Sequence, residues 1–515
     1  MSKTGITGLK AGTVLAAALA LQLAALPMAQ AQAQEQDTAA ITLNGVTVYD
    51  GTALLLFAAR VAAERHGTVT ADQIAAIVQS IYAEDGYFLA DVRATPDGRA
   101  IVVTEGVIAS VSVEGTDPRT FDRLRGYFDP LIGQPAPDIH RFERAVLLAD
   151  DLETIAVTAE IDASDPAGAH VRLVAIPEAS SAGAITLDNP ARAFGDALTL
   201  SFNQEYYAAL QPGDLLRLSL SHTEGFDPED RETMGSVTYR APVGSGGGYV
   251  ETYLANIAAQ HDAFGTLQQT DRAGLTGIIA FGYPVLRSID RYVYGLVELR
   301  GARTEVDVGA RRFNSELYAL SASWIDGQAL ADGGALEYAL DLTYGQQVSV
   351  PAGLDAGDLT FWYLRAGLDF EIPLGFMPDA SLRFDATAQF TTARLPAAEE
   401  YVLGGQEDLR GFPFAEAQGD SGLSFALSAG RDFRPATGAI QRIRPFVFVD
   451  AGRIWNNQPS ASETTAISLA SAGAGVEMQM DGNLYLRGHM GFPLTDGVTQ
   501  RTSNPAIYLG LTRSW

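Results

Sequence analysis

Residues 446–452 read Phe446-Val447-Phe448-Val449-Asp450-Ala451-Gly452. The period of two of a strand sets Phe446, Phe448, Asp450 and Gly452 on one face and Val447, Val449 and Ala451 on the other. One face is wholly apolar and the other carries a carboxylate, which suits a wall between lipid and water. A charge in hydrocarbon costs kilocalories, so Asp450 belongs on the wet face, where it still gains from a cation. One strand-like segment upstream lies Leu409-Arg410-Gly411-Phe412, in a stretch rich in glycine (Gly404, Gly405, Gly411). Arg410 is the candidate cation, since an arginine fork grips a carboxylate bidentately. The segment from Thr391 to Gly422 would then be a long loop folded back into a lumen. On the residues alone a second reading stands beside this one: a solvated loop cation and an unrelated strand-end acid.

The pattern extends in both directions. Leu216, Leu218 and Leu220 face opposite to Arg217, Ser219 and Ser221, and Leu423, Phe425, Leu427 and Ala429 face opposite to Ser424, Ala426, Ser428 and Gly430. About sixteen such segments run from residue 181 to residue 515, separated by turns or longer polar loops. An even number of alternating strands predicts an outer-membrane barrel with a lumen wide enough for water or an extended chain. Soluble β-sandwiches alternate too, but rarely need so many residues in one domain. The chain ends at Trp515, with Leu511, Leu509 and Ile507 on its face and Arg513 interrupting. A terminal aromatic suits an interfacial girdle.

Ahead of the barrel the periodicity is mixed. Ile41 to Val48 predicts a strand, Leu54 to Arg65 a helix, Ala71 to Ala83 a second helix capped by Thr70, and Tyr87 to Ala94 with Arg99 to Thr104 two strands around Pro96-Asp97-Gly98. The order then recurs: strand Val107 to Val113, helices Pro118 to Phe128 and Asp138 to Leu152, and strands Ile155 to Ile161 and His170 to Ile176. Two α+β modules, 39–106 and 107–178, therefore precede the barrel domain of 181–515.

The first residues place Lys3 and Lys10 before a largely apolar run, Ala11 to Ala29, ending in Ala29-Gln30-Ala31 and Ala31-Gln32-Ala33. Residues 1–33 read as a signal peptide, with the mature chain starting near Gln32 or Gln34, and a retained anchor as the alternative. No later stretch is apolar for long enough to be a transmembrane helix, so a membrane location requires a closed barrel.

Composition narrows the chemistry. The 515 residues carry 62 acidic and 35 basic side chains, a net charge of -27, which argues against a nucleic-acid partner because counterion release needs clustered cations. The absence of cysteine excludes disulfide frameworks, thiolate metal sites and a cysteine nucleophile. His66, His140, His170, His222, His261 and His489 show no paired metal spacing. Asp227 to Asp230 lacks the spacing of a calcium loop, and Gly244 to Gly248 has no lysine or helix start that would make it a phosphate cradle. No nucleophile motif stands out. The reading is a protein without enzymatic activity, cofactor or metal.

Certain stretches carry a family resemblance. Tyr82-Ala83-Glu84-Asp85-Gly86-Tyr87 and Val103-Thr104-Glu105-Gly106 resemble the polypeptide-transport-associated (POTRA) domain. In that family the second helix and the neighbouring strand edge receive unfolded polypeptide by strand addition. Joined to Asp188-Asn189, Pro212-Gly213-Asp214, Tyr283-Pro284-Val285-Leu286-Arg287, Leu409-Arg410-Gly411-Phe412 and Phe446-x-x-x-Asp450-x-Gly452, the two modules resemble the outer-membrane transporters of two-partner secretion, ShlB/FhaC/HecB-like, within the BamA superfamily.

The resemblance implies α+β periplasmic POTRA modules followed by an all-β transmembrane barrel of sixteen antiparallel strands in the outer membrane. It implies a pore-folded loop, 391–422, whose tip Arg410, Gly411 and Phe412 meets Phe446, Asp450 and Gly452 on the wall. Trp515 resembles the terminal barrel signal, with Trp where Phe is more usual. The implied partners are a large β-helical secreted exoprotein of haemolysin or adhesin type, outer-membrane lipid, and the barrel assembly machinery during biogenesis. An assembly factor of the same superfamily is the alternative. Many members carry an N-terminal plug helix that is not evident here, which leaves the loop as the expected plug.

Overall fold

The computed structural model describes residues 41–67, 69–152, 155–189, 197–225, 231–261, 270–309, 311–349, 357–459, 464–498 and 504–515. The signal-peptide reading of 1–33, the Asp227 to Asp230 stretch and the side chain of His261 lie outside the described residues. By packing, the chain divides into two compact units. The first runs to Ile108, with short returns at Gly133–Ile139 and Pro166–Ala169, and the second holds the remainder.

The first unit contains β1 (Thr42–Asn44), α1 (Gly51–His66), α2 (Ala71–Glu84), β2 (Asp91–Ala94) and β3 (Ala100–Thr104). The sheet order is β1-β3-β2, with β1 parallel to β3. Asp50 caps α1 by accepting from the Thr52 and Ala53 amides at 2.9 and 3.0 Å, and Gly67 ends it in the left-handed region. Thr70 and Gln73 form a reciprocal capping box on α2, satisfying two amides that the first turn leaves without intrahelical partners. Ala58, Ala62, Ile74, Val78, Tyr82, Ile101 and Val103 make the core.

The strand predicted over Ile41 to Val48 is only three residues long. Gly45 turns with φ +87°, and a Cβ there would overlap the Val103 carbonyl. The next residues are drawn to Glu105 instead of a strand neighbour. Its buried carboxylate accepts from the Thr47 amide at 2.7 Å, the Val48 amide at 3.1 Å and the Tyr82 hydroxyl at 2.6 Å, and from the Thr47 hydroxyl. The strand predicted from Tyr87 also starts late, at Asp91, because Tyr87 to Ala90 form turns closed by Phe88 N–H to the Gly86 carbonyl and Ala90 N–H to the Tyr87 carbonyl.

The second unit holds the repeat of this order and the barrel. The repeat is β4 (Ile108–Glu114), α3 (Pro118–Phe128), α4 (Ile139–Asp150), β5 (Ile155–Asp162) and β6 (Ala169–Pro177), in sheet order β4-β6-β5. Asp117 caps α3 and Pro118 opens it. The barrel begins with β7 (Ser181–Asp188), β8 (Ala197–Tyr207), β9 (Leu215–Gly225), β10 (Arg231–Val243), β11 (Gly248–His261), β12 (Thr270–Arg287), β13 (Arg291–Val308) and β14 (Arg311–Ala329). It continues with β15 (Ala335–Ser349), β16 (Thr360–Pro373) and β17 (Ala380–Phe390). After a loop that contains the short hairpin β18 (Tyr401–Leu403) and β19 (Ala417–Gly419) come β20 (Ser421–Arg431), β21 (Ile440–Trp455), β22 (Ala466–Met480), β23 (Leu484–Pro493) and β24 (Ala506–Ser514).

β7 to β17 and β20 to β24 close a barrel of sixteen antiparallel strands, so the predicted all-β barrel is the observed one. On β21, Val447 and Val449 are exposed whereas Phe446, Phe448 and Asp450 are buried, so the aliphatic face points outward. Leu218, Leu220, Leu423, Phe425 and Leu427 share that outward exposure, the apolar girdle a bilayer requires. No helix among the described residues is long and apolar enough to cross a membrane.

The seam joins β24 to β7 through five residue pairs, from Gly510↔Asp188 to Ser514↔Ala184. Side chains and the terminus extend this short ladder. At one end, the Asn189 carboxamide donates to the Ile507 carbonyl at 2.8 Å and accepts from the Leu509 amide at 2.6 Å. At the other, Trp515 and Gly183 exchange backbone hydrogen bonds at 3.0 and 3.1 Å. The Trp515 indole lies where a Gly183 side chain would stand.

Candidate functional site

The loop between β17 and β20 is fixed at its root and reaches the barrel wall at its tip. At the root, Glu399 is buried and accepts from Arg300 Nη2 at 2.7 Å and from the Tyr363 hydroxyl at 2.9 Å. Asp420 accepts from the Leu395 amide at 2.5 Å and the Asn457 amide at 2.6 Å. The β18–β19 hairpin carries the chain inward, and Tyr401, Leu403, Leu409 and Phe412 pack with Ile454 and Leu469 of the wall. Gly404 and Gly405 take φ values of +109° and +117°, a region that only glycine occupies freely, and a Cβ on Gly404 would overlap the Pro413 carbonyl.

The tip places Arg410 against Asp450. Arg410 Nε donates to Asp450 Oδ2 at 2.9 Å and Nη2 to Oδ1 at 2.5 Å, a bidentate fork. The Arg410 backbone N–H adds a third bond, to Oδ2 at 2.9 Å. The Asp450 side chain is 0% exposed and that of Arg410 7%. The guanidinium carbon sits 3.8 Å from the centroid of the Phe448 ring, where the negative face of the ring meets the cation. Asp450 lies on the face of β21 opposite the outward valines, so the contact is inside the barrel.

The residues named beside this pair occupy graded positions. Gly411 donates its amide to Ser471 Oγ at 3.1 Å, and a Cβ on it would overlap that side chain. Phe412 is fully buried and its carbonyl accepts from the Tyr508 hydroxyl at 2.6 Å. Gly452 stands beneath the β18–β19 hairpin, where a side chain would press Leu403 at 2.6 Å. Phe446 is one step further away, packing its ring on Phe448 and His489 at 6.2 and 6.3 Å. Trp515 is remote from the tip and belongs to the seam.

Several contributors were not singled out from sequence: Ser471 on β22, His489 and Gly491 on β23, and Tyr508 on β24. A Cβ on Gly491 would overlap the Arg410 carbonyl. His489 stacks on Tyr508 at 4.7 Å and meets the edge of Phe448 at 6.0 Å, and neither of its ring nitrogens has a partner among the described residues. The available signal was the run of glycines at 473, 475, 488 and 491 in neighbouring strands, since glycine in a strand marks close backbone or ring approach. Gly473 and Gly475 are covered by the Phe448 and Phe446 rings. No group of three metal-ligating side chains occurs among the described residues.

The other motifs that carry the resemblance also acquire partners. Tyr82 and Glu105, from separate motifs, bond to each other in the first module. Asp214 accepts from the Leu210 and Gln211 amides at 3.0 and 2.9 Å and from the Tyr239 hydroxyl at 2.8 Å. Arg287 forks onto Asp151 of the second module at 3.0 and 2.7 Å, and Arg144 donates to the Pro284 carbonyl at 2.6 Å.

Residues 302–478, which contain the loop and Asp450, match the family described as haemolysin secretion/activation protein ShlB/FhaC/HecB. No curated protein sequence matches the chain. Among solved structures it is similar to CdiB from Escherichia coli, with a TM-score of 0.76 and 18% identity over 92% of this chain and 90% of that one. CdiB from Acinetobacter baumannii gives a TM-score of 0.71 and 14% identity over 92% and 89%. BamA from Haemophilus ducreyi lacking POTRA domains 1-3 gives 0.53 and 14% over 86% and 93%. At these identities the likeness is one of fold: a closed antiparallel β-barrel preceded by two small α+β modules.

Proposed function

We propose that this chain is an outer-membrane protein translocator of the two-partner type. An unfolded exoprotein binds the two periplasmic modules, crosses the outer membrane through the barrel lumen and folds outside. The reading extends to a large β-helical exoprotein of the haemolysin or adhesin class. The observation that carries it is a loop lodged against the lumen wall within the stretch that matches the secretion family.

In this reading the loop is a removable obstruction. Its root is tied by Glu399 and Asp420 to several strands, whereas its tip depends on the Arg410–Asp450 pair, the Gly411–Ser471 bond and the Tyr508–Phe412 bond. A buried ion pair contributes little net stability against its own desolvation, so a hydrated lumen lets the tip leave without unfolding the wall. Passage then requires no nucleotide, because a chain that folds outside cannot diffuse back.

Deletion of the gene tests the proposal. One large exoprotein should vanish from the medium or cell surface while other outer-membrane barrels assemble at normal levels. General loss of barrels would instead establish an assembly factor of the BamA kind.

A further inference from the structure

A cavity of about 350 Å³ lies where the second module meets the inner rim of the barrel. Its module side is Tyr127, Leu148 and Leu152, and its barrel side includes Tyr249, Tyr292 and Tyr294. The walls are held in register. Arg287 grips Asp151 bidentately, the Ile289 amide donates to Glu143 Oε1 at 2.5 Å, Arg144 donates to the Gly246 carbonyl at 3.1 Å, and Arg123 to the Gly244 carbonyl at 2.9 Å. Leu148 and Leu152 fit against Gly247 and Gly213, which have no side chain to obstruct them.

The tyrosines lie flat on the wall. Tyr249 covers Gly282 of the adjacent strand and Tyr292 covers Gly327, so each ring has one face against backbone. On β13 the exposed Val297 and Leu299 face lipid, which turns Tyr292, Tyr294 and Leu296 towards the lumen. Tyr292 and Tyr294 are 6.0 Å apart between centroids. That is close to the roughly 6.6 Å between alternate side chains of an extended strand. The nearby charges are already engaged: Arg240 with Glu251 at 2.7 Å and with the Tyr249 ring, Asp151 with Arg287, and Glu337 with the Tyr292 hydroxyl. Nothing there recruits a charged ligand, whereas aromatic rings and leucines accept neutral rings.

We propose that this cavity is a receptacle for aromatic side chains at alternate positions of an extended polypeptide, the first station at the periplasmic mouth of the lumen. The inference rests on the translocator reading for its biological meaning, and its test does not require the natural cargo. The full protein in lipid nanodiscs is titrated against fluorescein-labelled Gly-Ser peptides carrying Phe, Ala or Glu at three alternate positions. Binding is read by fluorescence anisotropy.

The Phe peptide should bind about tenfold more tightly than the Ala peptide, the worth of one or two ring contacts. Tyr294→Ala and the double change Tyr292→Ala/Tyr294→Ala should abolish that difference, while Tyr292→Phe/Tyr294→Phe retains it. Because Tyr292 also covers Gly327, Tyr294→Ala alone decides the matter if the double variant lacks the heat-modifiable mobility of a folded barrel. Equal affinity for Phe and Ala peptides, tighter binding of the Glu peptide, or full selectivity in folded Tyr294→Ala would overturn the site. An unchanged exoprotein profile on gene deletion would overturn the translocator reading and leave the peptide result standing.

Discussion

Arg410 contributes two side-chain bonds and one backbone bond to a single carboxylate, so neither partner can be removed cleanly. Arg410→Ala or Asp450→Ala leaves one charge buried alone, a cost of about 3–5 kcal/mol that releases the tip instead. The chain has no cysteine, so Ser471→Cys introduces a unique thiol at a position that the docked tip buries. Its labelling by a membrane-impermeant maleimide should accelerate at least tenfold in either variant, and secretion should change with it. Unaltered labelling would show that the pair does not hold the loop. A charge swap of the two residues should not restore docking. An aspartate at 410 cannot stack on Phe448, and an arginine at 450 has no acceptor for the backbone N–H of residue 410.

His489 offers the opposite experiment. It is buried, and neither ring nitrogen has a partner among the described residues; an unsatisfied buried polar group costs about 1–3 kcal/mol. His489→Phe keeps a ring between Tyr508 and Phe448, and the temperature of heat-modified mobility should rise by several degrees.

At the scale of elements, the loop tip is a fit between a folded segment and four strands. Gly491→Ala touches neither charge, yet its Cβ would overlap the Arg410 carbonyl. Overpacking of this kind costs about 1–3 kcal/mol, and the thiol-labelling rate at Ser471→Cys should rise as it does for Arg410→Ala.

The sixteen strands were legible because lipid outside and a polar interior enforce strict alternation, which survives in a single sequence. The Arg410–Asp450 pairing was one of two readings of the residues and was legible mainly through resemblance, Gly491 only as one of a run of strand glycines, and Ser471 and Tyr508 not at all. They come from three strands that the barrel brings together, with no local period to announce them. Local pattern failed similarly at Ile41 to Val48, where alternation persists but Gly45 and the Glu105 carboxylate redirect the backbone.

Glu105 makes that second failure a prediction. Burial opposes its charge, but hydrogen bonds from Thr47, Tyr82 and the Val48 amide outweigh burial and hold its pKa below the usual glutamate value. A group lowered on folding contributes stability above its unfolded pKa and loses it as pH falls through the folded one. Hydrogen exchange at the Thr47 and Val48 amides, corrected for intrinsic rates, should therefore show constant protection from pH 8 to 6 and weakened protection in stronger acid. In Glu105→Gln that protection should be lower at neutral pH and nearly independent of acid.

For the whole molecule, the barrel is as closed as its shortest ladder. Five pairs join β24 to β7, and Asn189 supplies with its side chain the bonds that a longer β7 would have made with its backbone. Asn189→Ala should leave secretion intact at low temperature while lowering the temperature at which the barrel loses its compact mobility on gels. Asn189→Leu should do so more strongly.

That seam also sets a condition on biogenesis. Thr186 and Thr512 share a hydrogen bond across 326 positions of sequence, and Trp515 exchanges backbone bonds with Gly183. The contact that closes the barrel thus joins segments from its two ends in sequence, and loops of such length close slowly. Until β24 meets β7 every other strand pair can form while two bare edges remain, so this one seam decides whether the sheet is a closed wall or an open, sticky ribbon.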